Sequence, residues 1–346
     1  MIKYFRIIVA LFFVQYSFAQ NEINKIDSII HASIKLNPEI GISVGILNEH
    51  EVSFLNYGYA NQAEKTKIDE NSIFEIGSIT KLFTSYLIGQ QVELGRIHLD
   101  STIDKYLPDF FTLNSALKNK IKVSDLASHQ SGLPDFDFKK LLKVNPTQPL
   151  DLVTIETVDS ILTNTTQLES YGSYKYSNIS YVLLGYILEN ILKKDYEDII
   201  KKKILKPFKM SNTLCSNYKK KKLTQGHDID GMQKDFFNWN SVIAPAGLLK
   251  SNSKDLLKFI KQLLIKKNES VRSFLEQTYF KNTFIELGLG LTIIRKDGNA
   301  IFSKSGDTLG QSCVLAYNPK NKWGIVILTT QANGTARRIF NQVLDI

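Results

Sequence analysis

The hydrophobic positions of this chain follow two different periods along its length. Near the start, the stretch "NEINKIDSIIHASIK" has isoleucines at helical spacing, which predicts a first helix. Two β-rich runs follow at 41–48 and 51–60, and the polar pair Glu49-His50 between them indicates a hairpin. A sheet therefore begins close to the N-terminus.

Helical periodicity dominates the middle of the chain. From Ile79 to Leu94 the apolar positions follow a helical period, and Gly95 is a suitable C-terminal cap. Further helical patterns fill about 121–280, and "TARRIFNQVL" predicts a last helix. Short β-rich runs spaced by turn residues, as in an antiparallel meander, lie between them at 287–294, 299–305, 312–319 and 322–330.

Strands at both ends with helices between them predict an α+β fold. Its antiparallel sheet is formed by both chain ends and flanked by helices, and a mainly helical domain is inserted. The 346 residues fit one such unit. We place a single catalytic domain at 20–346, with its α/β part at about 20–110 and 285–346 and its helical insert at about 111–284. A cleft between sheet and insert is where a small-molecule site is expected.

The first 19 residues have the pattern of a signal peptide. Lys3 and Arg6 precede an apolar segment at 7–13, and residues 17–19 form a small-x-small cleavage site. The alternative is a membrane anchor, but the apolar segment is shorter than the roughly 20 residues that span a bilayer. No cysteine lies nearby for lipidation. We expect cleavage before Gln20, export to the bacterial periplasm or the medium, and no transmembrane segment downstream.

The net charge of +9 is concentrated in two lysine-rich runs, at 201–209 and 219–222. Nucleic acid is a poor explanation, because the chain is predicted to be exported and the runs lack interleaved aromatic residues. A solvated basic face is the simpler interpretation. The other is contact with anionic polymers of the cell envelope.

The cysteines and histidines suggest neither a disulfide scaffold nor a metal site. A chain of this size does not need a disulfide, so Cys215 and Cys313 are expected to be buried free thiols, with pairing left open. We expect no metal and no other cofactor. No zinc-binding spacing occurs among the histidines, which are His31, His50, His98, His129 and His227.

Candidate chemistry begins with a Ser-x-x-Lys pair in "EIGSITKLFT". Residues three apart lie on one helix face, so the Lys81 amine can reach the Ser78 hydroxyl. A lysine in an apolar helix is desolvated, which lowers its pKa and suits it to act as a base. The alternative is a helix-capping serine with a snorkelling lysine. The same spacing recurs in polar surroundings at Ser115/Lys118, Ser216/Lys219 and Ser251/Lys254.

Two further motifs follow along the chain. Tyr176-x-Asn178 precedes a helix, where the tyrosine can act as a general base and the amide can hold an acyl substrate. Lys304-Ser305-Gly306 ends a β-rich run, where a lysine and a hydroxyl can bind a carboxylate. The glycine lets the backbone run close alongside an acyl group. Aromatic packing at a loop and a surface strand ending in a turn are the respective alternatives.

The order of these three motifs resembles that of the penicillin-recognising serine hydrolases. The resemblance is to the class C β-lactamase-like branch, which includes β-lactamases, D-Ala-D-Ala carboxypeptidases, D-aminopeptidases and related esterases. It extends over nearly the whole chain after the signal peptide. Further stretches that carry it are "ELGRIHLDSTIDKYLP", "VSDLASHQSGLP", "APAGLLKSNSKDLLKF" and "LAYNPKNKWGIVILTT". It implies a β-lactamase/transpeptidase-like fold.

The resemblance also implies roles for the motif residues. Ser78 attacks a carbonyl to form an acyl-enzyme, while Lys81 and Tyr176 share the proton transfers. Asn178 orients the substrate.

The resemblance implies that the third motif, Lys304-Ser305-Gly306, binds the substrate. Lys304 and Ser305 would bind its carboxylate and support the tyrosine. The oxyanion hole would be the backbone N–H groups of Ser78 and of Asp307, which follows Gly306; losing one such donor typically costs ~100- to 1,000-fold in turnover. A carboxylate at Asp307 departs from the small or neutral residue expected there and is expected to disfavour anionic substrates.

The implied substrates are β-lactams, D-Ala-type muropeptides, and small amides and esters. The chain has no Ser-Asp-Asn triplet and no convincing deacylating glutamate loop, which argues against the class A β-lactamase arrangement. A true β-lactamase would differ from a peptidase or esterase in how fast water attacks the acyl-enzyme. The alternative from another class is a non-catalytic penicillin-binding-like receptor or sensor.

Overall fold

The structure, a computed structural model, describes residues 23–35, 38–49, 51–218 and 223–345. The predicted signal peptide and the basic run at 219–222 lie outside these ranges. Export and cleavage before Gln20 therefore stay predictions. Within the described ranges, no helix is both long and apolar enough to cross a membrane.

The strands occur in two groups, one near each end of the chain, with short pairs between them. In chain order they are β1 (Ile42–Asn48), β2 (Glu51–Tyr57), β3 (Tyr59–Asn61), β4 (Thr66–Lys67), β5 (Phe74–Glu75), β6 (Gly226–His227), β7 (Gln233–Lys234), β8 (Lys250–Ser251), β9 (Phe280–Lys281), β10 (Glu286–Leu287), β11 (Thr292–Lys296), β12 (Asn299–Asp307), β13 (Ser312–Asn318) and β14 (Trp323–Thr329).

The helices occupy the segments between these groups and both edges of the described chain. They are α1 (23–35), α2 (Thr80–Glu93), α3 (Val123–Ala127), α4 (Phe138–Val144), α5 (Ile155–Asn164), α6 (Ile179–Leu192), α7 (Tyr196–Ile200), α8 (Ala244–Gly247), α9 (Ser253–Leu264), α10 (Glu269–Glu276) and α11 (Thr335–Leu344). A 3₁₀ turn at Gly77–Ile79 leads into α2, and a π-helical turn at Lys201–Leu205 continues α7.

One antiparallel sheet of eight strands, in the order β2-β1-β14-β13-β12-β11-β10-β9, organises the fold. The two chain ends meet inside it, where β1 pairs with β14. Helices α1 and α11 pack on one face and α9 packs on the other. Because both faces are covered, β13 and β14 are continuous apolar runs with little alternation.

The α+β architecture predicted from the sequence is confirmed. The hairpin near the N-terminus forms between β1 and β2, and the last helix has the predicted bounds. The run at 287–294 is interrupted, however, because Gly290 takes φ +72° and its N–H donates to the Ala127 carbonyl at 3.1 Å. Strands β10 and β11 lie on either side of this turn. The proposed boundaries at residues 110 and 285 stay predictions.

The structure also describes the two cysteines and the first basic run. Cys215 and Cys313 are both buried and free. In the first basic run, Lys201 and Lys202 form ion pairs with acidic residues one turn earlier, at 2.5 and 2.7 Å. These two lysines therefore have partners within their own helical segment, and contact of the basic face with the cell envelope stays a prediction.

Candidate active site

Ser78 lies in the 3₁₀ turn immediately before α2, at the edge of a cavity of about 740 Å³. The turn depends on Gly77, which has φ +47°. A Cβ added to Gly77 would lie 2.9 Å from the Asp307 carbonyl oxygen, so both the backbone conformation and the space require glycine. The hydroxyl is thereby presented at the junction between α2 and strand β12.

Lys81, the second residue of α2, is completely buried. Its Nζ donates to Ser78 Oγ at 3.1 Å, to Asn178 Oδ1 at 2.9 Å and to the Ala246 carbonyl at 2.5 Å. Three acceptors match the three protons of an ammonium group. Burial lowers the pKa of Lys81 to about 7, while Asp135 acts in the opposite direction. A substantial fraction of the amine is therefore neutral near neutral pH.

Tyr176 brings a second titratable group to Ser78. Its hydroxyl is hydrogen-bonded to Ser78 Oγ, and the side chain opens to the cavity. Lys81 Nζ and Lys304 Nζ lie 5.0 and 5.4 Å from the centre of its ring. Burial lowers the pKa of Lys304 to about 8, with Tyr176 opposing the shift and Lys81 adding to it. Two buried amines thus flank one phenol beside the serine.

Asn178 is fixed by a residue that the sequence reasoning missed. Asp135 accepts hydrogen bonds from the backbone N–H groups of Asn178 and Ile179, at 2.7 and 3.1 Å, at the start of α6. It also accepts from the Asn178 side-chain Nδ2 at 3.3 Å, which leaves Oδ1 facing Lys81. Local sequence carries no signal for this contact, because the carboxylate caps a helix 43 residues further on.

His129 is the second residue that was missed as part of the site. Its Nδ1 accepts from the Ser177 backbone N–H at 3.2 Å, and its carbonyl accepts from the Lys175 N–H at 2.9 Å. Its ring lies 4.5 Å from the Tyr176 ring. Burial holds the pKa of His129 well below its usual value, and Lys304 acts in the same direction. The neutral imidazole of His129 therefore holds one side of the tyrosine segment, and its backbone carbonyl holds the other.

The third motif lies at the end of β12. A Cβ on Gly306 would lie 2.8 Å from the Ser78 nitrogen, so the strand runs directly against the serine turn. On the same junction, a Cβ on Gly77 would lie 3.0 Å from the Asp307 nitrogen. The two backbone nitrogens expected to form the oxyanion hole therefore lie on adjacent, closely packed segments.

The Asp307 carboxylate is directed to α11. Its Oδ1 accepts from the Gly334 N–H at 2.8 Å, and its Oδ2 pairs with Arg337 at 3.2 Å. Arg337 also lines the cavity and was not identified from the sequence. The negative charge that we expected to disfavour anionic substrates thus has a guanidinium beside it.

The motif residues converge on this one cavity. Those that line it directly are Ser78, Tyr176, Asn178, Lys304, Ser305 and Asp307. The other described serines with Ser-x-x-Lys spacing do not line it; Ser251, for example, is hydrogen-bonded to Thr213 at 2.8 Å. The order of motifs along the sequence therefore corresponds to a spatial cluster.

Comparison with known proteins places this chain in a family. The sequence model of the family described as Beta-lactamase matches residues 30–345. The chain belongs to the beta-lactamase family. The resemblance inferred from the three motifs is thereby confirmed. The family suggests a serine hydrolase, but the match does not identify the substrate of this protein.

The similarity to individual relatives is distant. "Protein flp" of Staphylococcus aureus (strain MW2) is 28% identical over 320 residues, which cover 88% of this chain and 62% of that protein. The chain thus spans about three fifths of the length of that protein. A structure described as a class C beta-lactamase has a TM-score of 0.81 at 22% identity and covers 94% of this chain and 96% of that chain. A beta-lactamase/D-alanine carboxypeptidase from Pseudomonas syringae has a TM-score of 0.79 at 21% identity, covering 94% and 99%. At these identities the structures establish the shared fold.

Proposed function

We propose that this protein is a serine hydrolase that forms an acyl-enzyme on Ser78. Its substrates are β-lactams, or D-Ala-type peptides and other small amides and esters. The observation that carries the proposal is the contact of one serine hydroxyl with both the buried Lys81 amine and the Tyr176 hydroxyl. A nucleophile within hydrogen-bond reach of a base is the arrangement that covalent catalysis needs.

In acylation, Ser78 Oγ forms a bond to the substrate carbonyl carbon. Its proton passes to the neutral amine of Lys81, directly or through Tyr176. The oxyanion accepts hydrogen bonds from the N–H groups of Ser78 and Asp307. Collapse of this intermediate breaks the bond to the leaving nitrogen or oxygen, which takes a proton from the same lysine–tyrosine pair.

Deacylation uses the same groups in the reverse sense. Water attacks the acyl carbonyl and gives up a proton to the lysine–tyrosine pair, and Ser78 leaves with a proton returned to its oxygen. The rate of this step separates the candidate activities. A β-lactamase releases its acyl group rapidly, whereas a penicillin-inhibited peptidase or esterase retains it.

Substrate binding is assigned to the remaining motif residues. Asn178 orients the acyl part through its amide, and Lys304 and Ser305 bind a carboxylate. With its pKa near 8, Lys304 is mostly protonated at neutral pH and can supply the positive charge. Structural neighbours described as class C beta-lactamases and as a D-alanine carboxypeptidase support this substrate range. Export, predicted from residues 1–19, would place the enzyme with muropeptides.

The test is incubation of the protein lacking residues 1–19 with a fluorescent penicillin and with a chromogenic cephalosporin. Ser78→Ala is the inactive control, and Ser251→Ala is the control for a serine with the same Lys spacing. Stable labelling that requires Ser78 supports a peptidase or esterase, and rapid cephalosporin turnover supports a β-lactamase. A wild type that binds penicillin without acylation or hydrolysis would be a receptor and would contradict the proposal.

A further inference from the structure

The cavity at Ser78 has an apolar side that takes no part in the chemistry described above. Its catalytic side carries the serine, the tyrosine and the amines, whereas the rest of its lining is rich in aromatic and aliphatic side chains. Among the apolar residues are Phe136, Phe138, Leu150, Phe237, Ile243 and Phe284. A cavity with a few convergent polar groups and a large apolar surface is typical of small-molecule sites.

Phe237 is the most firmly held part of this surface. Its backbone N–H donates to Glu75 Oε1 at 2.6 Å, and its carbonyl accepts from Lys250 Nζ at 2.8 Å and from the Tyr218 hydroxyl at 3.0 Å. Glu75 and Lys250 are opposite one another on β5 and β8, and both are buried. Burying charged groups is costly unless they make good hydrogen bonds. Here both buried side chains are used to fix the backbone of one residue in the cavity wall.

Two exposed phenylalanines extend the same surface to the cavity mouth. Phe138, the first residue of α4, is 39% exposed, and Phe284, in the turn between β9 and β10, is 95% exposed. The side chain of Asn282 accepts from the Phe284 N–H at 2.8 Å and so shapes that turn. A single exposed phenylalanine is ordinary. Two on separate elements that line one cavity together with Phe237 form an apolar surface next to the nucleophile.

We propose that Phe138, Phe237 and Phe284 bind an apolar acyl group of the substrate, an inference that rests on the proposed function at Ser78. This phenylalanine wall would make esters and amides with a medium-length alkyl or arylalkyl acyl group better substrates than those with an acetyl group. The cationic side of the cavity takes the carboxylate of the leaving part. The wall is then an apolar surface of the same cavity that is available to the other side of the scissile bond.

The test is a series of p-nitrophenyl esters in which only the acyl group changes, from acetate through butyrate to hexanoate. Each methylene buried against the wall should raise kcat/KM by up to about fourfold. We therefore expect hexanoate to exceed acetate by about tenfold or more in kcat/KM. Phe284→Ser should reduce that ratio at least about threefold.

Phe284→Ser is informative because an exposed side chain contributes little to folding. Ile229→Ser is the matched control, since Ile229 is also exposed, at 65%, but does not line the cavity. It should leave the hexanoate-to-acetate ratio unchanged. Equal kcat/KM values for the two esters in the wild type would overturn the proposal. So would an unchanged ratio in both Phe284→Ser and Phe138→Ser.

A binding measurement separates failure of the wall from failure of the proposed function. If Ser78→Ala cleaves the esters as fast as wild type, the nucleophile assignment is wrong. The Ser78→Ala protein can still be titrated calorimetrically with N-hexanoyl-D-alanine and N-acetyl-D-alanine. Binding of the hexanoyl compound about tenfold or more tighter supports the wall, and equal binding overturns it.

Discussion

Two lysines in this protein are equally buried and have different surroundings. Lys81 donates to a serine hydroxyl at the edge of an open cavity. Lys250 donates to the carbonyls of Phe237 and Leu248, at 2.8 and 3.1 Å, and lies over the ring of Tyr218. The first amine has the proposed nucleophile as a partner, and the second has only groups that hold the chain in place.

The comparison shows that burial alone does not identify a catalytic lysine. Burial lowers the pKa of Lys81 to about 7 and that of Lys250 to about 8, and each shift is opposed by a carboxylate, Asp135 and Glu75 respectively. A lowered pKa supplies a base only where a reactive hydroxyl and a space for substrate are also present. Both conditions hold at Lys81.

The largest expected effect comes from replacing each lysine with methionine. Lys81→Met removes the proton partner of Ser78 and should lower kcat/KM on the order of 100- to 10,000-fold, with the fold retained. Lys250→Met leaves the buried carbonyls of Phe237 and Leu248 without their donor and removes the cation that lowers the pKa of Glu75, so it should destabilise the protein by roughly 3 to 5 kcal/mol. Ester hydrolysis assays and denaturant unfolding of both variants check this.

A control isolates the role of charge at Lys250. The double variant Glu75→Gln/Lys250→Met removes both buried titratable groups and should recover part of the lost stability. If Lys250→Met lost as much activity per folded molecule as Lys81→Met, the distinction between the two lysines would be wrong.

The second expected effect is on the pH dependence of stability. Between the folded-state pKa of Lys81, about 7, and its ordinary value of 10.5, the unfolded chain binds a proton that the folded chain does not. Stability therefore rises with pH across this window. The unfolding free energy of the wild type minus that of Lys81→Met should increase by about 2 kcal/mol from about pH 7 to about pH 9. A difference that stays constant would show that the lysine is not desolvated.

A smaller effect is expected at His129, which we regard as a positioning residue for Tyr176. His129→Leu removes the acceptor for the Ser177 N–H and should lower kcat about tenfold with little change in KM. His129→Asn has nearly the same shape as leucine but restores an acceptor, and should stay within about threefold of wild type. Thermal unfolding of both variants separates loss of stability from loss of kcat. Equal kcat in the two variants would contradict this role.

The smallest effect is expected from Asp135→Asn. The carboxylate raises the pKa of Lys81, so its removal should move the rising limb of the kcat/KM–pH profile to lower pH, by less than about one pH unit. The asparagine oxygen can still cap α6. A shift to higher pH would mean that the limb does not report Lys81.

The sequence predicted what depends on short-range periodicity. The spacing of Ser78 and Lys81, the presence of helix α2 and the bounds of α11 follow from local pattern alone. Three motifs in order were then sufficient to predict a common site. The local pattern also failed in one strand, because Gly290 made a tertiary contact that ended it.

The residues that were missed act over long sequence separations. Asp135 reaches Asn178 and His129 reaches Ser177 from loops more than 40 residues earlier. Glu75 and Lys250 become neighbours only through the pairing of β5 with β8. Their roles depend on tertiary contacts, which neither hydrophobic period nor motif spacing encodes.

The central claim is that Ser78 accepts an acyl group because Lys81 is partly neutral near neutral pH. The most direct measurement is the acylation rate with benzylpenicillin, by rapid acid quench and intact-protein mass spectrometry from about pH 6 to about pH 9. We predict an adduct on the peptide containing Ser78, formed at a rate that rises with a midpoint near the Lys81 pKa of about 7, and absent from Ser78→Ala. No adduct on the wild type at any pH, or the same adduct on Ser78→Ala, would contradict the account.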